Sequence, residues 1–181
     1  MSLRVIAGAF KGRRLAAPTW DGLRPTSDKL RETLFNILAP LIEGARVLDG
    51  YAGTGAVGIE AISRGAAHVT FVEHDRRAQA LIAANLRACG VADGYVIIRA
   101  GVAGAAANLP PASFDLVLLD PPYETDATEA IAPAARLLAA NGTLVLEHAR
   151  RSPAPEVVGE LTRTREVASG DSALALYSCP P

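Results

Sequence analysis

Cysteine is nearly absent from this chain. Only Cys89 and Cys179 occur in 181 residues, without a CxxC pair or metal-ligand spacing, which excludes a disulfide scaffold and a structural zinc centre. Histidine is as sparse: His68, His74 and His148 stand singly, and none has a triad partner visible in sequence. No apolar run is long enough to span a bilayer, and the N-terminus lacks the core of a signal peptide, so the expected protein is soluble and intracellular. Repeats and low-complexity linkers are missing too. Excess charge of either sign is also lacking, because 18 basic side chains face 19 acidic ones for a net of -1. Bulk charge therefore neither demands nor forbids a nucleic-acid partner. What is present is a half-apolar, one-fifth-charged composition that can bury a core in one compact globular domain.

The charge is unevenly spread. Residues 1–31 hold seven basic side chains against Asp21 and Asp28, a local net of +5, which leaves -6 on the remaining 150 residues. Clustered cations can neutralise phosphates and release counterions, so this segment is a candidate polyanion contact through Arg4, Lys11, Arg13, Arg14, Arg24 and Arg31. Residues 3–15 mix short apolar stretches with Gly8 and Gly12 and predict a small hairpin or extended arm. Thr26 or Ser27 then caps a helix over 27–39, where Leu30, Leu34, Phe35, Ile37, Leu38 and Leu41 recur at helical spacing. We divide the chain into this basic arm and helix, 1–41, and a main domain, 42–181.

The main domain alternates. Short apolar runs at 46–48, 69–72, 96–98, 116–119 and 143–146 read as strands. Helix-compatible stretches at 56–64, 75–88, 102–109 and 127–139 fill the gaps. The order βαβαβαβαβ implies a parallel sheet with helices on both faces. Two further runs, 161–167 and 173–177, flank the turn signal Ser169-Gly170-Asp171 and predict a terminal antiparallel hairpin, making seven strands.

Two segments carry chemistry. After the first strand, Gly53 to Gly58 fits GxGxxG, in which missing side chains let the backbone approach a ligand. Alone, that pattern serves a dinucleotide or S-adenosylmethionine equally well. Asp49, however, ends the strand with three residues intervening before Gly53, and a carboxylate there suits a cationic amino group better than a pyrophosphate. Glu73, 20 positions beyond Gly53, ends the second strand where it can accept ribose hydroxyl hydrogen bonds. The fourth strand runs directly into Asp120-Pro121-Pro122-Tyr123. Its prolines remove two N–H donors and leave the Asp120 carboxylate and the Pro121 carbonyl as acceptors for an NH₂ group, with Tyr123 available to stack on a base.

Together these segments resemble the class I S-adenosylmethionine-dependent methyltransferases that modify exocyclic amino groups of nucleic-acid bases. Arg4-Val-Ile-Ala-Gly, Lys11-Gly-Arg-Arg-Leu, Leu23-Arg-Pro-Thr, Arg31-Glu-Thr-Leu-Phe-Asn and Ser63-Arg-Gly-Ala resemble one branch, the RsmD family, which acts on guanine N2 of 16S ribosomal RNA. The resemblance implies a Rossmann-like α/β fold and S-adenosylmethionine as cofactor. Its methionine end would meet Asp49, Gly53, Thr54 and Gly55, and its ribose Glu73. Tyr51, His74, Val102 and Asp120 are assigned to the same cofactor site. Asp120, Pro121, Pro122 and Tyr123 would hold the target base. Where relatives place an acid after the third strand to bind adenine, this chain has Arg99-Ala100-Gly101-Val102. The implied partner is 16S rRNA in the small ribosomal subunit or an assembly intermediate. A cytoplasmic monomer with no metal and no membrane contact is expected. Competing readings are an adenine-N6 methyltransferase on DNA or RNA, a nicotinamide-dependent oxidoreductase, and a non-catalytic RNA-binding assembly factor.

Overall fold

Alternation along the β-rich runs decides the layering. In a computed structural model describing residues 3–23 and 25–180, five parallel strands form: β1 (Arg46–Asp49), β2 (His68–Glu73), β3 (Tyr95–Arg99), β4 (Phe114–Leu119) and β5 (Leu138–Ala149). Successive side chains of β4 point to opposite faces, so Leu116 and Leu118 enter one core while Val117 and Leu119 enter another. The first core is covered by α1 (Asp28–Ile42), α2 (Ala56–Ser63) and α3 (Arg76–Ala88), and the second by α4 (Val102–Asn108) and α5 (Ala127–Ala135). Among the described residues, no helix is long and apolar enough to cross a membrane.

The C-terminal strands run antiparallel. They are β6 (Val157–Val158), β7 (Leu161–Ser169) and β8 (Ser172–Ser178), and the whole sheet has the order β3-β2-β1-β4-β5-β8-β7-β6. The expected seven strands thus become eight, because Val157–Val158 pairs with Leu161 and Thr162 at the edge. Two residues are too few to show a period in sequence. A second correction concerns the segment before β5. The expected helix over 127–139 stops at Ala135, and β5 begins at Leu138 opposite Phe114, well before the apolar run at Thr143. Sheet pairing overrides the helical composition of that stretch.

The chain leaves β1 toward β2 and β3 on one side and returns to β4 on the other. The carboxyl ends of β1 and β4 therefore lie side by side at a topological switch point, where open α/β sheets bind ligands.

The arm folds back as expected: Arg4 bridges Arg14, and the Val5, Gly12 and Leu15 amides donate across it to the carbonyls of Arg13, Val5 and Leu3, each at 2.9 Å. Leu3, Val5 and Leu15 are buried in the same core as α1, α2 and α3. A buried carboxylate fastens it: Glu60 of α2 accepts the Ile6 amide at 2.8 Å and the Ala7 amide at 2.9 Å, and meets Arg64 at 2.8 Å. Ser63 accepts the Phe10 amide at 2.9 Å and donates to the Ala7 carbonyl at 2.6 Å.

Arg31 corrects the sequence reading. It is fully buried, donates to the Arg4 carbonyl at 2.9 Å and to Asp28 at 2.6 Å, and stands 3.9 Å from Glu60. A guanidinium so enclosed cannot reach a phosphate; it holds arm to helix. Arg4 remains exposed and pairs with Asp28 at 3.4 Å, while Lys11, Arg13 and Arg14 are exposed on the arm. Arg24 lies outside the described residues.

The tightest contact of the arm is at Gly8, where φ is +81° and an added Cβ would fall 1.9 Å from the Ser63 carbonyl oxygen. Gly8→Val should therefore lift the arm from α2 and cost about 2–4 kcal/mol. Urea unfolding should report the loss, and limited proteolysis should cut the variant within residues 3–15 under conditions that leave the wild type intact.

Candidate active site

The glycine loop is held in shape by two strand-end carboxylates. Asp49 is buried, and its Oδ2 accepts the amide of Gly58 at 3.0 Å, satisfying one of the free N–H groups in the first turn of α2. Glu73 Oε2 accepts the Gly53 amide at 2.9 Å, and Oε1 accepts the Asp75 amide at 2.9 Å. The loop turns through Gly53 and Gly55, both at positive φ (55° and 78°), where a side chain would be strained. Gly50 passes close to the end of β4: a Cβ there would lie 2.5 Å from Leu119 Cδ2, so any larger residue would have to displace that side chain.

This framework opens onto a cleft of about 810 Å³, within the usual range for small-molecule sites. Tyr51, Gly53, Glu73, His74 and Val102 line one part, and Asp120, Pro121, Pro122 and Tyr123 the other. Asp49 and Thr54 line a smaller chamber of about 80 Å³ that adjoins it, also bounded by Asp120. Gly55 lines neither space and serves as the N-cap of α2. The two segments singled out in sequence thus meet, and the Gly50 amide donates directly to the Leu118 carbonyl at 2.9 Å.

Several lining residues escaped the sequence reading. Residues 20–23 and 25–27 line the cleft as a strap. Asn85 anchors its start, accepting the Ala16 amide at 2.7 Å and donating to the carbonyls of Ala16 at 3.1 Å and Thr54 at 2.9 Å. At its other end, the Thr26 hydroxyl donates to Asp120 Oδ2 at 2.9 Å. Between these anchors, Trp20 lies under the Arg77 guanidinium, 4.9 Å from its ring centroid. Glu147 on β5 also lines the cleft, accepting from the Ser172 hydroxyl at 3.2 Å. The Tyr123 hydroxyl lies 3.0 Å from that of Ser172. Glu147 directly follows the expected fifth strand, so the rule that ligands gather at carboxyl ends could have found it. Ser172 could not be found that way, because only the sheet order brings the start of β8 to this rim.

The carboxyl groups are strongly perturbed. Burial raises Asp49 to about 7, with the nearby Asp120 and Glu73 charges adding to the rise and the Gly58 bond opposing it. Burial also raises Asp120, which the Thr26 hydrogen bond opposes. Glu147 rises to about 8 through burial and then through the charge of Asp120. The donor set fits S-adenosylmethionine: acidic groups suit its amino nitrogen, Glu73 keeps lone pairs for a ribose diol, and Val72, Ala100 and Val102 offer apolar surface to a purine. No acid follows β3, so the purine would meet Ala100, Gly101 and Val102 there.

Raised carboxyl groups make stability depend on pH. The unfolded chain ionises Asp49 and Glu147 near their ordinary values, while the folded protein does so only near 7 and 8. Their contribution is fully present below about pH 4 and is lost as pH rises through 7 to 8, at about 1.4 kcal/mol per pH unit for each group. The urea unfolding free energy should fall from pH 5 to pH 8. Asp49→Asn, which keeps an acceptor for Gly58, should remove about one group's share of that slope.

Known proteins resemble this chain from end to end in sequence and fold. The chain is 37% identical over 180 residues to the putative rRNA methyltransferase YlbH of Bacillus subtilis (strain 168), covering 97% of this chain and 98% of that one. It is 36% identical over 181 residues to ribosomal RNA small subunit methyltransferase D of Escherichia coli (strain K12), covering 97% and 89%. Among solved structures, the putative methyltransferase yhhF from Escherichia coli matches with a TM-score of 0.86 at 30% identity, over 100% of this chain and 99% of the other. The family model described as Conserved hypothetical protein 95 matches residues 3–178. With likeness of this degree over nearly its whole length, the chain belongs to that family, the RsmD family that its motifs resemble.

Proposed function

We propose that this protein transfers a methyl group from S-adenosylmethionine to the exocyclic N2 of a guanine in 16S rRNA, within the small ribosomal subunit or an assembly intermediate. The observation that carries the reading is the juxtaposition at the switch point: the Asp120 carboxylate, oriented by Thr26, beside the glycine loop held by Asp49 and Glu73. The names of the relatives, an rRNA methyltransferase and a ribosomal RNA small subunit methyltransferase, support the substrate class.

S-adenosylmethionine supplies an electrophilic methyl group on a sulfonium. The protein supplies orientation. An aromatic amine is a poor nucleophile because its lone pair is delocalised into the ring. Asp120 and the Pro121 carbonyl would accept its two hydrogens and turn that lone pair out of the ring plane, and the carboxylate would stabilise the positive charge developing on nitrogen. Tyr123, half exposed at the mouth, would stack on a guanine swung out of its helix. Asp49 and the loop amides would bind the methionine end, and Glu73 the ribose. Residues 1–41 would act as the RNA-contacting extension, with Lys11, Arg13 and Arg14 against phosphates.

Labelled methyl donor, incubated in turn with undermethylated small subunits, naked 16S RNA and DNA, should yield N2-methylguanosine from the ribosomal substrate. Methyladenosine as product would establish the adenine-N6 reading instead. Asp120→Ala should lower the rate at least about 100-fold while donor affinity, measured by calorimetry, stays within a few-fold. Replacing Arg13 and Arg14 together by Ala should weaken RNA binding and reduce the salt slope by about 2; filter binding across a salt series would measure it.

A further inference from the structure

Glu147 has no part in the reading above, yet it is the most strongly placed side chain left in the cleft. It is nine-tenths buried on β5, lines both the cleft and the inner chamber with Asp120, and directly follows Leu146, the register partner of the Leu119 that Asp120 follows. Two ionised carboxylates so close in a desolvated space repel, and neither then carries a proton to offer the other. One proton between them turns the repulsion into a hydrogen bond.

The groups around the pair are hydroxyls and acids; in the wider cleft, Arg77 and His74 meet other carboxylates, Asp75 at 3.0 Å and Glu73 at 3.3 Å. Asp120 receives the Thr26 hydroxyl from the strap at 2.9 Å, and Glu147 receives the Ser172 hydroxyl from β8 at 3.2 Å. Across the chamber, β1 presents Asp49, a third acid, and α1 presents only Leu30 and Leu34. The tetrapeptide adds the Tyr123 hydroxyl, 3.0 Å from Ser172. His148 follows on β5 but turns to the other face, where it meets Glu166 at 2.9 Å. Among the described residues, no cation lines the inner chamber.

We propose that Glu147 is a positioning residue for amino-methyl transfer: its protonated carboxyl donates a hydrogen bond to the Asp120 carboxylate, which also accepts from Thr26, and so holds it in the orientation that accepts the substrate N–H. The inference rests on the function proposed above and adds the residue that makes Asp120 competent. Glu147 ionises only near 8, so the pair holds its single proton at neutral pH. In the transfer, the amino lone pair forms the bond to the methyl carbon while the carbon–sulfur bond electrons remain on sulfur. The proton released from nitrogen passes to the Asp120 carboxylate. The pair then holds two protons and returns one to solvent at the cleft mouth, where Ser172 and Tyr123 lie.

Two measurements test this. Carbon-13 NMR of side-chain carboxyls, on the protein without donor or RNA, should show one glutamate titrating near pH 8 that disappears in Glu147→Gln and moves toward the ordinary glutamate range in Asp120→Asn. Single-turnover rates with donor saturating should fall above about pH 8 in the wild type. Glu147→Gln, which donates at every pH, should stay within about threefold of wild type at pH 7 and remain flat to pH 9.5. Glu147→Ala should lose about 100-fold in rate with donor affinity unchanged. A Glu147 resonance in the ordinary range, or a Glu147→Gln profile that follows the wild type above pH 8, overturns the proposal. Absence of methylation from every substrate, with the high titration intact, would instead refute the proposed function while upholding the shared proton.

Discussion

The hydrogen bond from the Gly58 amide to the buried Asp49 carboxylate ties the end of the first strand to the first turn of the helix after it. Everything at the cleft depends on that closure. It fixes the length and path of the loop between them, and the Glu73 bond to Gly53 fixes the loop from the neighbouring strand. Because β1 also lies beside β4, the loop and the Asp120 tetrapeptide open onto adjoining spaces. A loop of glycines without these two anchors would lack a single shape, since glycine loses more backbone entropy on ordering than any other residue.

The same burial that makes these anchors strong makes them costly. Asp49, Asp120 and Glu147 surround one small chamber, and each is pushed toward its protonated form. Such a site trades stability at alkaline pH for acceptors that a cationic or hydrogen-rich ligand can satisfy. It also repels the phosphates of the proposed substrate. The exposed cations of the arm would supply the opposing attraction at a distance from the chemistry, as a separation of charge along the chain allows.

Burial likewise explains which basic residues serve the fold. Arg31 looked like its neighbours in sequence, but it lies on the inward face of α1 with Leu30, Leu34 and Phe35 and closes a polar knot with Asp28, Glu60 and the Arg4 carbonyl. Hydrophobic periodicity shows that a helix has a buried face; it does not show that a charged side chain on that face will find a partner from a strand-like arm twenty-seven residues earlier. Glu147 is the converse case. Its strand was visible, yet Asp120 follows a different strand, and only the β4–β5 pairing brings the two to one chamber.

The amino-acid order alone determined the alternation of strands and helices, the glycine loop after β1, the Asp120 tetrapeptide after β4 and the basic start of the chain, because each rests on periodicity, turn chemistry or residue type within a few positions. The tertiary structure decided the two-residue edge strand, the early start of β5, the burial of Arg31 and the gathering of the Thr26–Asp120 and Ser172–Glu147 hydrogen bonds around one cleft. Those features depend on which strands become neighbours and which side chains lose water together. That information arises only when distant segments share a core.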